Sequence, residues 1–164
     1  MNYQEARNEF IETWGKLGST WGVSRSMAQI HALLLISPNP LSTEEVMNEL
    51  KVSRGSANMN LRALMDWSLV HKELKAGDRK EYFIAEKDIW TVFTHVVIQR
   101  KKRELEPLIG VLQDLGKVED DDPDAGEFLR VVDEIRLFSE RADKTLSSVT
   151  QSKASQFFRS FLKK

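Results

Sequence analysis

Val52-Ser53-Arg54-Gly55-Ser56-Ala57-Asn58-Met59-Asn60-Leu61-Arg62-Ala63-Leu64 is the stretch on which the reading of this chain turns. Ala57, Leu61 and Leu64 stand at i, i+4 and i+7, the spacing of one buried helix stripe. Arg54, Asn58 and Arg62 stand at i, i+4 and i+8, on a different stripe with Asn60 beside it. Ser53 is a natural N-cap, because its hydroxyl can accept from a backbone N–H that the first turn leaves unpaired. The pattern predicts a helix from Arg54 to about Trp67, apolar on one face and rich in Arg and Asn on another.

Upstream, Ser42-Thr43-Glu44-Glu45 has serine followed three residues later by glutamate, a capping box that opens a short helix with Val46, Met47 and Leu50 inward. Lys51-Val52 is then the tight turn between the two helices. Ser37-Pro38-Asn39-Pro40 is a break, since neither proline fits a helix interior. Before it, a helix is expected from Ser24 as N-cap to Ile36, with Ile30 to Ile36 deeply buried. The first helix should span about Tyr3 to Trp21, with Phe10, Trp14, Leu17 and Trp21 on one face. Downstream, Val70-His71-Lys72-Glu73-Leu74 and Glu81-Tyr82-Phe83-Ile84 read as β-prone segments joined through Ala76-Gly77-Asp78-Arg79, a hairpin signal.

Helix, short capped helix, three-residue turn, helix and β-ribbon is the order of a winged helix-turn-helix. In such a fold the second element must hold the third at a fixed angle, and the third must present groove-compatible side chains. Arg can pair bidentately with guanine and Asn with adenine, so Arg54, Asn58, Asn60 and Arg62 have the chemistry for reading base edges. Ser53, Gly55 and Ser56 sit where free N–H groups and the positive end of the helix dipole suit a phosphate. Gly55 would let the backbone come close. Lys72, Arg79 and Lys80 place charge on the ribbon and its tip, within reach of phosphates. With Ser42 at the start of the preceding helix, these residues form the expected contact set for double-stranded DNA.

The same residues resemble a known family. Val52 to Leu64, Trp67-Ser68-Leu69-Val70 and Gly77-Asp78-Arg79-Lys80-Glu81-Tyr82-Phe83 are similar to the GbsR branch of the MarR-like transcriptional regulators, as are the Phe10–Gly22 helix and Pro38-Asn39-Pro40-Leu41-Ser42. The resemblance covers roughly residues 5 to 115, and beyond that only the helical pattern. It implies a homodimeric winged-helix repressor or activator whose terminal helices form the dimer interface. Such regulators are associated with genes for glycine betaine synthesis or uptake, and some respond to choline. One departure stands out: where Ser68 stands, just past the recognition helix, such proteins usually carry glycine.

The remaining chain is expected to be helical. Ile89, Phe93, Val96 and Val97 lead toward Leu105, Leu108, Leu112 and Leu115, with Pro107 predicting a kink or a break. Phe128, Val131, Ile135, Phe138, Ala142, Leu146 and Val149 mark a long amphipathic helix, and Phe157, Phe158, Phe161 and Leu162 a last apolar face. Three regions follow: an N-terminal dimerisation helix over 1–22, the winged helix-turn-helix over 23–87, and a helical dimerisation and effector-sensing region over 88–164. The fold class is thus all-α with a small β-hairpin wing, a winged helix-turn-helix core with flanking dimerisation helices.

Composition bounds the alternatives. The 164 residues carry a formal net charge of −1, but the average hides an asymmetry. Lys51 to Lys80 has seven Lys/Arg against three Asp/Glu, and Glu119 to Glu127 has six acids and no base. Without cysteine there is no disulfide framework, Cys-based zinc site or thiol nucleophile. No apolar run reaches membrane-span length, and the polar start does not read as a signal peptide, so a cytoplasmic location is the expectation. The aspartate run from Asp120 to Asp124 lacks the pattern of a calcium loop. No cofactor motif, metal-ligand spacing or catalytic constellation is present, so an enzyme is not expected.

Four tryptophans invite a cation–π cage for a quaternary ammonium effector such as choline. Trp90 and Phe93, where the helix leaves the ribbon, are the effector-binding candidates, although packing is the simpler account of both. His31 lies in an apolar helix and reads as a core residue. The competing class is a winged-helix protein–protein interaction module without sequence-specific DNA binding.

Overall fold

A computed structural model describes residues 1–20, 22–119 and 122–151. Trp21 of the first apolar stripe, Asp120 and Asp121 of the acidic run, and the aromatic end from Phe157 to Leu162 lie outside the described residues. The chain divides into two compact units, Met1–Val92 and Phe93–Lys164.

The first unit begins with α1 (Tyr3–Thr20), which packs on α2 (Arg25–Ile36). Its inner face is rotated from the one the aromatic spacing predicts. Ile11 and Gly15 are buried, Phe10 and Trp14 are half-buried, and Leu17 is 37% exposed. The cause is the close approach of the two helices. A Cβ on Gly15 would stand 2.6 Å from Gln29 Cγ, and one on Gly18 would collide with Ala28 Cβ. The glycines therefore form the contact, leaving the Phe10 and Trp14 rings stacked on one another at 5.4 Å.

Helix α2 is capped by Ser24, whose hydroxyl accepts from Met27 N–H at 3.1 Å. Ile30, Leu33 and Leu34 are essentially inaccessible and centre the core with Val46, Leu61, Leu64 and Val70. At its other end Lys87 Nζ donates to the carbonyls of Leu34, Leu35 and Ser37 at 2.6–2.8 Å. A cation there satisfies carbonyls that the last turn leaves unpaired and complements the negative end of the helix dipole. Partial burial holds the Lys87 ammonium below the usual lysine range.

Strand β1 (Leu41–Ser42) leads into α3 (Thr43–Leu50) and α4 (Arg54–Asp66), followed by β2 (Val70–Leu74) and β3 (Glu81–Ala85). The sheet has three antiparallel strands in the order β1-β3-β2, where the sequence predicts a two-stranded ribbon. Leu41 pairs with Phe83 and Ser42 with Tyr82, while Val70 pairs with Ala85 and Leu74 with Glu81. Two residues after a proline carry no periodicity to announce a strand. They join the sheet because β3 offers them a free edge, and so the wing is hydrogen-bonded directly to the start of α3.

The unit division falls within α5 (Ile89–Arg100). A π-helical turn, Lys101–Leu105, connects α5 to α6 (Glu106–Leu115) without the break Pro107 predicts. Proline removes a donor and crowds the carbonyl four residues back. The wider turn, with Glu106 N–H reaching Lys101 O, absorbs that misfit. Within the second unit α6 packs on α7 (Ala125–Gln151), where Leu112, Val132 and Ser139 are buried. Lys101 Nζ bonds Asp143 Oδ1 at 2.7 Å and so ties the π turn to α7. The apolar stripe seen in the sequence is offset from this seam: Phe128, Val131 and Ile135 are exposed, and Phe138 is 74% exposed. No helix among the described residues is long and apolar enough to cross a membrane.

Candidate nucleic-acid interface

The interface is built from the cap of α3 outward. Ser42 N–H donates to Glu45 Oε2 at 2.7 Å, and Glu45 N–H donates to Ser42 Oγ at 3.3 Å, completing the capping box. The Ser42 N–H bond, and after it the bond from the Ser42 hydroxyl to the same oxygen, hold the Glu45 carboxyl below its ordinary range. Lys51 ends α3 in the left-handed region at φ 54°, which turns the chain sharply enough for Ser53 to start α4 two residues later. Ser53 Oγ accepts from Ser56 N–H at 3.2 Å. Helix α4 then buries Ala57, Leu61 and Leu64 against the core.

On the opposite side Ser53, Arg54, Gly55, Asn58 and Arg62 are all exposed, as the spacing predicts. Asn58 and Arg62 have no side-chain partner among the described residues. A Cβ built on Gly55 meets nothing within 4 Å, so no contact inside the protein requires glycine there. Helix α4 also carries one exposed residue that the stripe reading leaves out. Met59 is 65% exposed beside Asn58, a signal the sequence holds only as an apolar residue out of phase with Ala57, Leu61 and Leu64.

Two residues of the expected contact set are not on this surface. Asn60 is 4% exposed. Its Nδ2 donates to Ser56 O at 2.9 Å, and its Oδ1 accepts from Ser24 Oγ at 3.2 Å. It is a buried strut from α4 to the cap of α2, because position 60 falls on the stripe of Ala57 and Leu64. Ser42 is 5% exposed, with both its backbone and its hydroxyl given to Glu45 and the β1–β3 ladder. Ser56 stands between: it is half-buried, and its Oγ accepts from Asn60 at 3.3 Å.

The wing presents Lys72, Lys75, Arg79 and Lys80 to solvent. Lys72 lies within the strand and pairs across the ladder with Glu81, so the tip itself is Lys75 to Lys80. Asp78 orders that tip, accepting from Lys80 N–H at 2.9 Å and from Tyr82 Oη–H at 2.7 Å. The tyrosine hydrogen bond, ahead of the backbone one, holds the Asp78 carboxyl below its usual range. Lys75 Nζ lies 3.8 Å over the Tyr82 ring. Lys80 Nζ donates to Glu44 Oε2 at 2.8 Å, and the other oxygen of Glu44 lies 3.5 Å from Arg54 Nη2. One cation from the wing and one from α4 thus share a carboxylate.

The two effector candidates fall on either side of the unit division. Trp90 is half-buried in the first unit, and Phe93 is 48% exposed in the second. A cleft of about 420 Å³ opens elsewhere, within the second unit, lined by Val97, Arg100, Lys101, Leu105, Leu108 and Leu146 among others. Its charged rim is already paired: Arg100 with Glu104, and Lys101 with Asp143 and Glu106.

Known proteins share this architecture. The chain is 27% identical over 140 residues to the HTH-type transcriptional repressor GbsR of Bacillus subtilis, covering 80% of this chain and 77% of that protein. It is 30% identical over 76 residues to the HTH-type transcriptional regulator MmpR5 of Mycobacterium tuberculosis, covering 46% of each. A crystal structure of a transcriptional regulator superposes with a TM-score of 0.69 at 20% identity, covering 88% of this chain and 95% of that one, which shows the shared fold. No protein-family model matches the chain. The relatives are named as regulators of transcription and not as enzymes. The fold is that of a winged helix-turn-helix protein, and the sequence is similar to those of two HTH-type transcriptional regulators, GbsR and MmpR5.

Proposed function

We propose that the protein is a sequence-specific DNA-binding transcriptional regulator, a repressor, that acts as a homodimer on a pseudo-palindromic operator. The observation that carries this reading is the division of α4. Its Ala57–Leu61–Leu64 side is sealed in the core, and its Arg54–Asn58–Arg62 side stands open beside a cationic wing. In this reading α4 enters the major groove, where Arg54, Asn58 and Arg62 supply discrimination. Ser53, Gly55 and Ser56 at the helix start, with Lys72, Arg79 and Lys80 on the wing, hold phosphates and set the register.

Dimerisation accounts for the second unit. Phe128, Val131, Ile135 and Phe138 form an apolar line on α7 that its own α6 does not cover, and a second copy would bury it. Two-fold symmetry would then set two recognition helices about one DNA turn, ~34 Å, apart. In this reading the target genes are those for glycine betaine or choline, which is what the resemblance of Val52 to Leu64 to the GbsR branch implies. A small-molecule effector such as choline is part of this reading, with Trp90 and Phe93 each a candidate contact.

The test is fluorescence anisotropy against the duplex upstream of the protein's own gene and a scrambled duplex, at ~150 mM salt, with and without choline or glycine betaine. Tight binding to the native duplex alone supports the regulator, and a shift with either solute supports the effector. The exposed apolar line on α7 also fits the second reading, an assembly module. Salt separates the two, since DNA binding weakens steeply between ~50 and ~200 mM whereas apolar docking does not. Absence of binding to any duplex even at low salt would favour the module.

A further inference from the structure

We infer that Met59 reads the 5-methyl group of a thymine in the major groove, a specificity contact that deepens the DNA-binding reading and rests on it. Among the described residues between Leu17 and Leu74, Met59 is the only large apolar side chain left exposed. Leu61 and Leu64 of the same helix are buried almost completely. Met59 instead sits on the outer side of α4, with Asn58 adjacent and Arg62 three residues on.

The chemistry of that face narrows the occupant. A lone thioether set among Asn and Arg side chains is too small and too polar in its surroundings to dock an apolar protein helix. In the major groove the thymine methyl is the apolar feature, and the hydrogen-bonding groups of Asn58 and Arg62 cannot register it. A methionine can: it is unbranched, polarizable and able to follow the groove floor. Arg54, Asn58 and Arg62 would then fix donor and acceptor positions, while Met59 separates thymine from the other bases at one position.

The experiment uses the full-length protein and a site selected from random duplexes. Each thymine of that site is replaced in turn by deoxyuridine, which deletes only the methyl, and affinities are read by anisotropy for wild type, Met59→Ala and Met59→Leu. Circular dichroism confirms that the variants are folded. At one thymine, wild type should lose roughly fourfold in affinity, the factor expected for one buried methyl group. Met59→Ala should lose nothing further there, and Met59→Leu should retain part of the effect. If Met59→Ala keeps the full thymine-to-deoxyuridine penalty at every position, the inference is overturned while the DNA-binding reading stands. The same holds if wild type shows no penalty at any thymine. Failure of wild type to select or bind any duplex overturns both.

Discussion

Glu44 accepts a hydrogen bond from Lys80 at 2.8 Å and, through its other oxygen, lies 3.5 Å from Arg54. Lys80 belongs to the wing tip and Arg54 to the first turn of α4, so an acidic side chain of α3 bridges the two cationic parts of the interface. The lysine hydrogen bond holds the Glu44 carboxyl low, and the same bond pushes the Lys80 ammonium up. All three side chains are substantially exposed, so the bridge contributes little to folding. Its effect belongs to binding. In the proposed complex DNA would compete with Glu44 for both cations and would meet a carboxylate near its phosphates. Glu44→Gln is therefore expected to tighten binding to scrambled duplexes several-fold and to narrow the gap between operator and scrambled DNA. The log–log salt slope should steepen by roughly one. A variant with weaker binding would show that Glu44 positions the two cations and does not restrain them.

Gly55 separates folding from binding. The space where its Cβ would go is open, and it lies in the first turn of a regular helix. Gly55→Ala should leave stability unchanged or raise it by about 0.5–1 kcal/mol, because alanine is the better helix former. In the proposed complex the added methyl meets phosphate, and affinity should fall at least tenfold. Thermal melting and anisotropy on one preparation decide it. Unchanged affinity would place the DNA backbone away from the start of α4.

Asn60 and Arg62 are two residues apart but answer to different tests. Asn60→Ala removes the strut to Ser24 and leaves buried polar groups unpaired, which costs about 1–3 kcal/mol of stability. Its effect on binding should be the same for every operator variant, since no base contact is lost. Arg62→Ala should leave the melting temperature nearly unchanged. It should weaken operator binding by about 1–3 kcal/mol and relax the sequence requirement at one base pair. If Asn60→Ala instead relaxes one base position, α4 must release that side chain on DNA.

Much of this interface is legible in the sequence, and the reasons are local. The Ser42–Glu45 box, the Ser53 cap and the Ala57–Leu61–Leu64 stripe depend on neighbours within one or two helical turns, which spacing records directly. The burial of Asn60 is not legible in the same way, because it depends on which helix lies opposite, and its partner Ser24 is thirty-six residues away. The rotation of α1 was hidden for the same reason. Gly15 and Gly18 carry no side chain to mark a face, yet they are the surface on which α2 rests. The short strand β1 and the Lys87 cap on α2 likewise arise from partners distant in sequence.

Ser68 shows a geometry that its own residue type does not announce. The resemblance expects glycine there, and Ser68 indeed adopts the left-handed region at φ 57°. Its N–H donates to Met65 O at 2.8 Å, closing α4 before β2 begins. A side chain in that conformation is disfavoured by roughly 1 kcal/mol relative to glycine. Ser68→Gly should therefore raise stability by up to about 1 kcal/mol in chemical denaturation, with DNA affinity unaltered. A loss of stability would mean that the serine side chain contributes more than its backbone conformation costs.

His31 gives the pH dependence of folding. Burial, and secondarily the positive charge of Lys87, pushes its imidazole down to about 4 from an ordinary 6.5, so the folded protein holds it neutral. Trp14 lies 6.2 Å away, and His31 Nε2 has no hydrogen-bond partner among the described residues to favour the charged form. The unfolded chain takes up a proton below pH ~6.5 that the folded chain refuses until about pH 4. Stability should accordingly be flat above pH ~6.5 and fall as the pH drops. The loss is about 1 kcal/mol by pH ~5.5 and about 3 kcal/mol near pH ~4. The carboxylates held low, Glu45 among them, begin to contribute only below their own ordinary value of 4.5. The interval from ~6.5 to ~4.5 thus isolates the histidine. Urea denaturation of wild type and His31→Gln across that interval is the measurement. The variant should lose most of the slope whatever its stability at neutral pH, and parallel curves for the two proteins would assign the slope to another group.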